Sequence, residues 1–368
     1  MASWIRRAVK TAAAASLSWT GVPTLLSRPH TQPFVICYHR IVERLDANDG
    51  RSLPAMETTV ATLEQHLDWL AKDFRIVSLD ELGDARTSPA RSARRLAAVT
   101  FDDGYRDVYD HAFPLLKRKG IPAAIFVVAD LIDTNQVPAH ERLYRLLANQ
   151  KRPSQGCLAG SLRAAGVTRN GEGHLPAAHH PFNVTRFLLA RLSQAEIHRV
   201  MAQLETDVRG ETGPTADLRP MTWGMLVEVR RAGMTIGSHT KTHAFLTNET
   251  QDQVALEVSG SRLELGRRLE TDIRHFAYPG GCFNADVVQA VAGAGYRLAF
   301  TICRHRDPLF PHLTIPRTVL WERASVDCFG RFSPAMLSCH AAGLLPRGFA
   351  CRHAAPRHRH WQLVTRNS

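Results

Sequence analysis

The chain reads as an α/β protein built on parallel strands. Short apolar runs of β type alternate with helical patterns from residue 34 onward, and such alternation implies parallel strands joined by right-handed crossovers. Most of these runs are near-continuously apolar, as strands buried on both faces must be. The pattern itself leaves two architectures open, a barrel and a doubly wound sheet.

Eight segments carry the strand pattern: FVICY (34–38), RIVSL (75–79), LAAVTF (96–101), PAAIFVV (122–128), MTIGS (234–238), HFAYP (275–279), YRLAFT (296–301) and LTIPRTV (313–319). Between them, Val60, Leu63, Leu67 and Leu70 fall on one helical face, and Val254, Val258, Ser261, Leu265 and Leu269 mark another. A helix over 106–119 ends at Gly120-Ile121-Pro122, a stop followed by a strand start. One region breaks the rhythm. Residues 131–222 separate the fourth run from the fifth, too far for a structureless loop in a compact domain, so an inserted helical flap is expected. Within it 151–181 reads as loop and 184–208 as helix. The expected organisation is an N-terminal basic, amphipathic segment (1–32), an α/β domain (33–325, insert 131–222) and a basic C-terminal tail (326–368).

Composition narrows the function. An apolar fraction of 44% excludes a disordered chain. The net charge of +12 invites nucleic acid or an anionic surface as partner. Much of the excess is at one end, however: no acidic residue follows Asp327, while Arg331, Arg347, Arg352, Arg357, Arg359 and Arg366 do. With no RNA-binding aromatic signature and no zinc-finger spacing, a nucleic-acid partner is not expected. The seven cysteines are odd in number, scattered and without CxxC spacing, which fits a reduced compartment better than a disulfide framework. Residues 1–32 carry Arg6, Arg7 and Lys10 before an interrupted apolar stretch with Trp4 and Trp19. That segment reads as a secretory signal or as a short helix in peripheral contact with a membrane. A cytoplasmic or membrane-associated location is expected, with a periplasmic or secreted one as the alternative.

Three segments carry chemistry. Val99 to Tyr105 delivers two adjacent carboxylates, Asp102 and Asp103, to the C-terminal end of a strand, the edge at which α/β sheets bind ligands. One can bind a metal while the other works as a base; the plain alternative is a helix N-cap with a solvated neighbour. Gly237 to His243 places His239 and His243 four apart after another strand, as on one face of a helical turn, so that both imidazoles reach one metal. By composition alone about one such pair arises by chance; its place on the same edge as the aspartates gives it weight. His275 to Gly281 ends a third strand in Tyr278-Pro279-Gly280-Gly281, a turn whose backbone N–H groups can meet an oxyanion, or simply a tight turn.

Together these resemble the polysaccharide deacetylases, the NodB-homology or carbohydrate esterase 4 family. TFDDG (100–104), SHTKTH (238–243) and FAYPGG (276–281) are similar to that family's first, second and third motifs, and MTWGMLVEVRRAGMTIGSH (221–239) to the lead-in to the second. The likeness spans roughly residues 33 to 320. It implies a distorted (β/α) barrel with one divalent ion, Zn2+ by expectation, held by Asp103, His239 and His243. Asp102 is then the general base, and the turn at Tyr278, Pro279 and Gly280 meets substrate and oxyanion. The substrate implied is an N-acetylated glycan.

Two departures stand out. The family's third motif carries an arginine that braces the base, where this chain has Ala277; Arg317 is the candidate substitute, or a plain surface arginine. The late Leu-x-His motif that supplies the general acid is missing. Cys37-Tyr38-His39-Arg40 resembles the early histidine segment of the poly-N-acetylglucosamine deacetylases, which makes His39 the expected acid, against a structural histidine capping the first strand. The resemblance implies metal-dependent hydrolysis of N-acetyl groups on an amino-sugar polysaccharide or glycan precursor. A hydrolase of another small amide, a catalytically silent carbohydrate-binding protein and a basic surface binder are the competing readings.

Overall fold

The computed structural model describes residues 33–45, 52–53, 56–87, 94–149, 155–167, 180–207 and 218–344. The N-terminal segment 1–32 and the chain beyond 344 lie outside the described residues, and with them the expected membrane contact. Among the described residues no helix is long and apolar enough to cross a membrane.

Among the described residues there are ten strands: β1 (Phe34–Tyr38), β2 (Arg40–Val42), β3 (Glu57–Thr59), β4 (Phe74–Ile76), β5 (Arg95–Phe101), β6 (Ala123–Val127), β7 (Thr235–Ser238), β8 (His275–Ala277), β9 (Leu298–Thr301) and β10 (Ile315–Val319). Seven of them, β1 and β5 to β10, form a closed barrel, all pairs parallel. The closing contact is β1 against β5, with Val35 level with Ala98 and Tyr38 with Phe101. This settles barrel over open sheet. β4 lies against the first residues of β5, Phe74 opposite Arg95, and extends that strand without entering the ring.

Alternation along the strands separates two apolar clusters. Phe34, Ile36, Val99, Ile125, Ile236 and Phe276 pack outward among the surrounding helices. Val35, Ala98, Ala124, Phe126, Ala277, Phe300 and Ile315 fill the lumen. A seven-strand ring is narrow, which is why so many inward positions are alanine. At Gly237 even a methyl would not fit: a Cβ there would lie 2.5 Å from the Phe126 ring. Local backbone chemistry bounds the outer helices, and the stop expected at Gly120 is present. Thr59 caps the helix Val60–Asp73 by accepting the Thr62 N–H, and Gly120, at φ 63°, closes the helix Phe113–Lys119 in the left-handed conformation.

Several expectations need correction. The run expected over 75–79 is a strand only to Ile76, because Leu79 opens the helix Leu79–Thr87. β2 and β3 were not anticipated; three residues give no periodicity to read, and the pair is tied by the Arg40–Glu57 ion pair at 2.9 Å. The insert is helical, with its own core of Leu143, Leu147, Val184, Leu188, Val200 and Leu204. Yet its expected loop contains the helix Gln155–Ala164, whose Leu158 is buried in that core, so packing outweighs the low propensity of its glycines. The single helix expected over 184–208 is two, Pro181–Leu189 and Gln194–Asp207. Ser193 and Glu196 cap each other's N–H at the break, a Ser-x-x-Glu signature present in the sequence. The expected tail begins too early. Residues 326–344 fold onto the body through a Val326–Phe332 bridge and the helix Pro334–Ala342, whose Leu337 enters the main core.

Candidate active site

Because every barrel strand is parallel, the residues just after Tyr38, Phe101, Ser238 and Ala277 share one rim. Asp102 continues the inward alternation of Ala98 and Thr100, and its N–H donates to the Tyr38 carbonyl at 2.9 Å. Both its oxygens are held by Arg317, from Nη1 at 2.7 Å and Nη2 at 2.6 Å. Arg317 is 1% exposed, so it is no surface arginine. It also donates to Thr100 Oγ1 at 3.1 Å and lies over the Phe126 ring. The Cys37 thiol adds a contact to Asp102 Oδ2 at 3.3 Å. Burial alone would raise the Asp102 carboxyl, but Arg317 and His239 beside it hold it below the ordinary range.

Asp103 sits at φ 69°, a left-handed conformation that costs a residue with a Cβ about 1 kcal/mol or more. It is 2% exposed, and neither carboxylate oxygen accepts a well-formed hydrogen bond from the described residues. Imidazoles surround it instead. His243 Nε2 lies 3.2 Å from Oδ1, His239 Nε2 3.6 Å from Oδ1, and His140 Nε2 3.6 Å from Oδ2.

The two predicted histidines do not meet on a helical turn. Thr240 and His243 have φ of 68° and 66°, so the segment is a loop. It is held from behind by Glu257, which accepts the N–H groups of Lys241 and Thr242, both at 2.9 Å, and the Thr242 hydroxyl at 2.7 Å. Glu257 is fully buried and lies in a π-turn, Leu256–Gly260, within the long outer helix; such bulges recur at functional sites. His239 donates from Nδ1 to the Ala277 carbonyl at 2.8 Å, which fixes the tautomer that leaves Nε2 as a lone pair facing Asp103. Burial pushes His239 down to about 4 and His140 down to about 3, so both are neutral at physiological pH. Burial opposes charge on Asp103 too, but His140 and His243 outweigh it and keep the group well below the carboxylate range.

His39 follows β1 on the same rim. One of its ring nitrogens is within 4.8 Å of both the Asp102 carboxylate and the Cys37 sulfur, and its Nδ1 is buried without a partner. The third segment is placed differently from its reading as a substrate turn. The Tyr278 side chain points into the outer core, its hydroxyl donating to Leu313 O at 2.9 Å, so only the backbone of this residue borders the rim. Gly280 has φ 61°, and a Cβ there would lie 2.3 Å from the Phe245 ring. Tyr278, Gly281 and Cys282 spend their N–H groups on Phe300 O, Tyr278 O and Pro279 O, and Pro279 has none to give. The Gly280 N–H takes part in none of these bonds.

His140, on the insert helix Ala139–Ala148, was not anticipated. Its one signal in the sequence is a histidine on an apolar face, three and seven residues before Leu143 and Leu147.

The donor set fits a divalent ion. A carboxylate without hydrogen bonds would cost several kcal/mol buried alone, and imidazoles beside it, His239 and His140 among them held neutral by burial, are the donor type a metal takes. Charge-assisted hydrogen bonds run to about 2.7–2.9 Å, shorter than the 3.2–3.6 Å seen. Donors on tetrahedral bonds of about 2.0–2.1 Å sit roughly 3.3–3.4 Å apart, close to the 3.2–3.6 Å that separates the imidazole nitrogens from the Asp103 oxygens.

Known proteins resemble this chain. The chain is 29% identical over 99 residues to the Bacillus subtilis (strain 168) protein YxkH, covering 27% of this chain and 32% of that one. It is 27% identical over 107 residues to the poly-beta-1,6-N-acetyl-D-glucosamine N-deacetylase of Escherichia coli (strain K12), covering 29% of this chain and 15% of that one. The chain thus spans a third or less of the length of the curated relatives it matches. The fold matches that of the Streptococcus pyogenes deacetylase PplD, solved in complex with acetate, with a TM-score of 0.53 at 17% identity over 83% of this chain and 96% of that one. The family profile described as polysaccharide deacetylase matches residues 90–157 and 178–299, more than half of the chain and all three motif segments. With the barrel, the paired aspartates and the two histidines on one rim, the chain belongs to the polysaccharide deacetylase family.

Proposed function

We propose that the chain removes N-acetyl groups from an amino-sugar polysaccharide or glycan precursor by metal-dependent hydrolysis. The observation that carries this is the Asp103 carboxylate, buried, ringed by imidazoles and lying beside a second aspartate braced by arginine. Asp103, His239 and His243 would hold the ion, Zn2+ by the preference of imidazole-rich sets. When bound, it supplies Lewis acidity to water and to the acetamide carbonyl.

The chain's own groups do the rest. Asp102 takes a proton from the attacking water on Oδ2, the oxygen turned toward His239 Nε2 at 3.9 Å. Arg317 holds that carboxylate ionised and fixes its plane. The Gly280 N–H donates to the carbonyl oxygen as it gains charge. His39 gives a proton to the departing nitrogen as the C–N bond breaks, so that acetate and a free amine leave.

The test is acetate release from N-acetylglucosamine oligomers by protein stripped with chelator and reloaded with zinc or cobalt. Release restored by metal and lost in Asp102→Asn is expected. In His39→Ala, turnover should vanish while one metal per chain remains; loss of the metal would make His39 a ligand instead. One metal bound but no release from any oligomer moves the substrate to another amide, and no metal bound removes the reading.

A further inference from the structure

We propose that His140 is a fourth donor to the metal, supplied by the helical insert, so that the insert caps the site as well as bordering it. The proposal rests on the metal reading above and deepens it. Two of the three imidazoles around Asp103 come from the rim loop after β7 and share Oδ1. The third reaches the other oxygen, Oδ2, from a different unit, the helix Ala139–Ala148.

Three observations single out His140. Its ring centre lies 4.6 Å from that of His243, closer than the 5.0 Å between His239 and His243. Ligand atoms of Asp103, His140 and His243 all lie within 4.8 Å of one another. The ring is 4% exposed and only half satisfied: Nε2 is 2.9 Å from the Tyr105 hydroxyl, while Nδ1 is buried with no partner. Each imidazole nitrogen has a single in-plane site, so Nε2, the nitrogen that faces Asp103, binds the ion by exchanging its hydrogen bond to the Tyr105 hydroxyl for the metal.

The helix is firmly placed. The neighbouring Glu141 is fully buried and accepts the Leu53 N–H at 2.8 Å and the Ser52 hydroxyl at 3.2 Å. His140 is therefore delivered to Asp103 from a fixed scaffold rather than by a wandering loop.

The consequence is chemical. Catalytic zinc sites keep one position for water or substrate, and four protein donors fill a tetrahedral shell. With His140 bound, an incoming carboxylate or acetamide oxygen has to displace it or add as a fifth ligand. Removing His140 should therefore weaken the ion and, at the same time, open the site to small anions.

The experiment compares wild type, His140→Ala and His140→Gln, loaded with zinc or cobalt, with folding checked by thermal melting of the apoproteins; glutamine keeps the bulk if alanine impairs the insert. Zinc affinity by calorimetric competition should fall at least a hundredfold in His140→Ala, beyond the roughly tenfold to hundredfold that a residue merely supporting a ligand is worth. The visible bands of the cobalt protein should change in intensity. Acetate should perturb those bands at a concentration severalfold lower than in wild type. Wild type that binds no zinc sinks the metal reading itself. Wild type that binds one zinc, with unchanged affinity and cobalt bands in folded His140→Gln, overturns only this proposal. Tyr105→Phe separates a ligand from a hydrogen-bond anchor. It should weaken zinc less than His140→Ala does, and an equal loss would also overturn the proposal.

Discussion

Arg317 and Asp102, 215 residues apart, form a two-pronged ion pair in the barrel lumen at 2.7 and 2.6 Å. Val35 is level with both Arg317 and Ala98, so the arginine starts four residues below the aspartate and rises past Thr100 to reach it. A buried pair broken on one side leaves a bare charge, typically at a cost of about 3–5 kcal/mol. Arg317→Met should therefore lower the melting temperature and reduce acetate release at least a hundredfold. Zinc stoichiometry, set by other residues, should stay at one. A variant that turns over within a few-fold of wild type would show that the base needs no brace.

Glu257 reads the histidine loop through its backbone. Glu257→Gln keeps the shape but replaces a carboxylate that accepts two N–H groups and a hydroxyl. Supporting contacts of this kind are worth about tenfold to a hundredfold in metal affinity. Zinc binding by calorimetry should weaken by about tenfold with the fold intact, and unchanged binding would mean that the loop holds itself.

Gly237 tests the packing of the lumen. Gly237→Ala would bring a methyl to 2.5 Å from Phe126 and 3.0 Å from the His275 carbonyl. Overpacking of this kind costs about 1–3 kcal/mol. Thermal melting should show the loss, and Phe126→Leu in the same chain should recover part of it. Full stability in the single variant would mean that the ring has room to move.

His66 gives the stability a pH dependence. It is fully buried between Tyr38, whose hydroxyl meets Nδ1 at 2.8 Å, and Ser325, with Phe332 packed on the ring and His340 nearby. Burial first, then His340, pushes it down to about 4. Its unfolded value is about 6.5, so between these values the unfolded chain carries a proton that the folded chain lacks. Stability from this group is complete above pH 6.5 and declines as the pH falls toward 4, by up to about 3 kcal/mol. The melting-temperature difference between wild type and His66→Gln should narrow over that range, and a constant difference would contradict the assignment.

Much of this protein was legible in one dimension. All eight expected strands occur, because residues buried on both faces must be apolar in unbroken runs, and FVICY coincides with β1 to the residue. Asp102 and His239 were legible as rim positions because each directly follows such a run, with Asp103 next to the first, and in a parallel sheet the end of a strand is the rim. Gly120 announced its helix end by local backbone chemistry alone.

Other features were not written locally. The sequence left barrel and open sheet undecided, since closure depends on β1 finding β5 across the 56 residues between them. It showed two histidines four apart but not the left-handed loop that joins them, which a distant buried glutamate maintains. It offered Arg317 as a substitute brace, and only the lumen's stacking puts that guanidinium under Asp102. It gave no reason to connect His140 with Asp103. Periodicity and turn chemistry act between near neighbours along the chain, so the sequence by itself determined the elements and the rim they end on. Which side chains meet there depends on how strands close and how the insert packs, and those are contacts that only the tertiary structure makes.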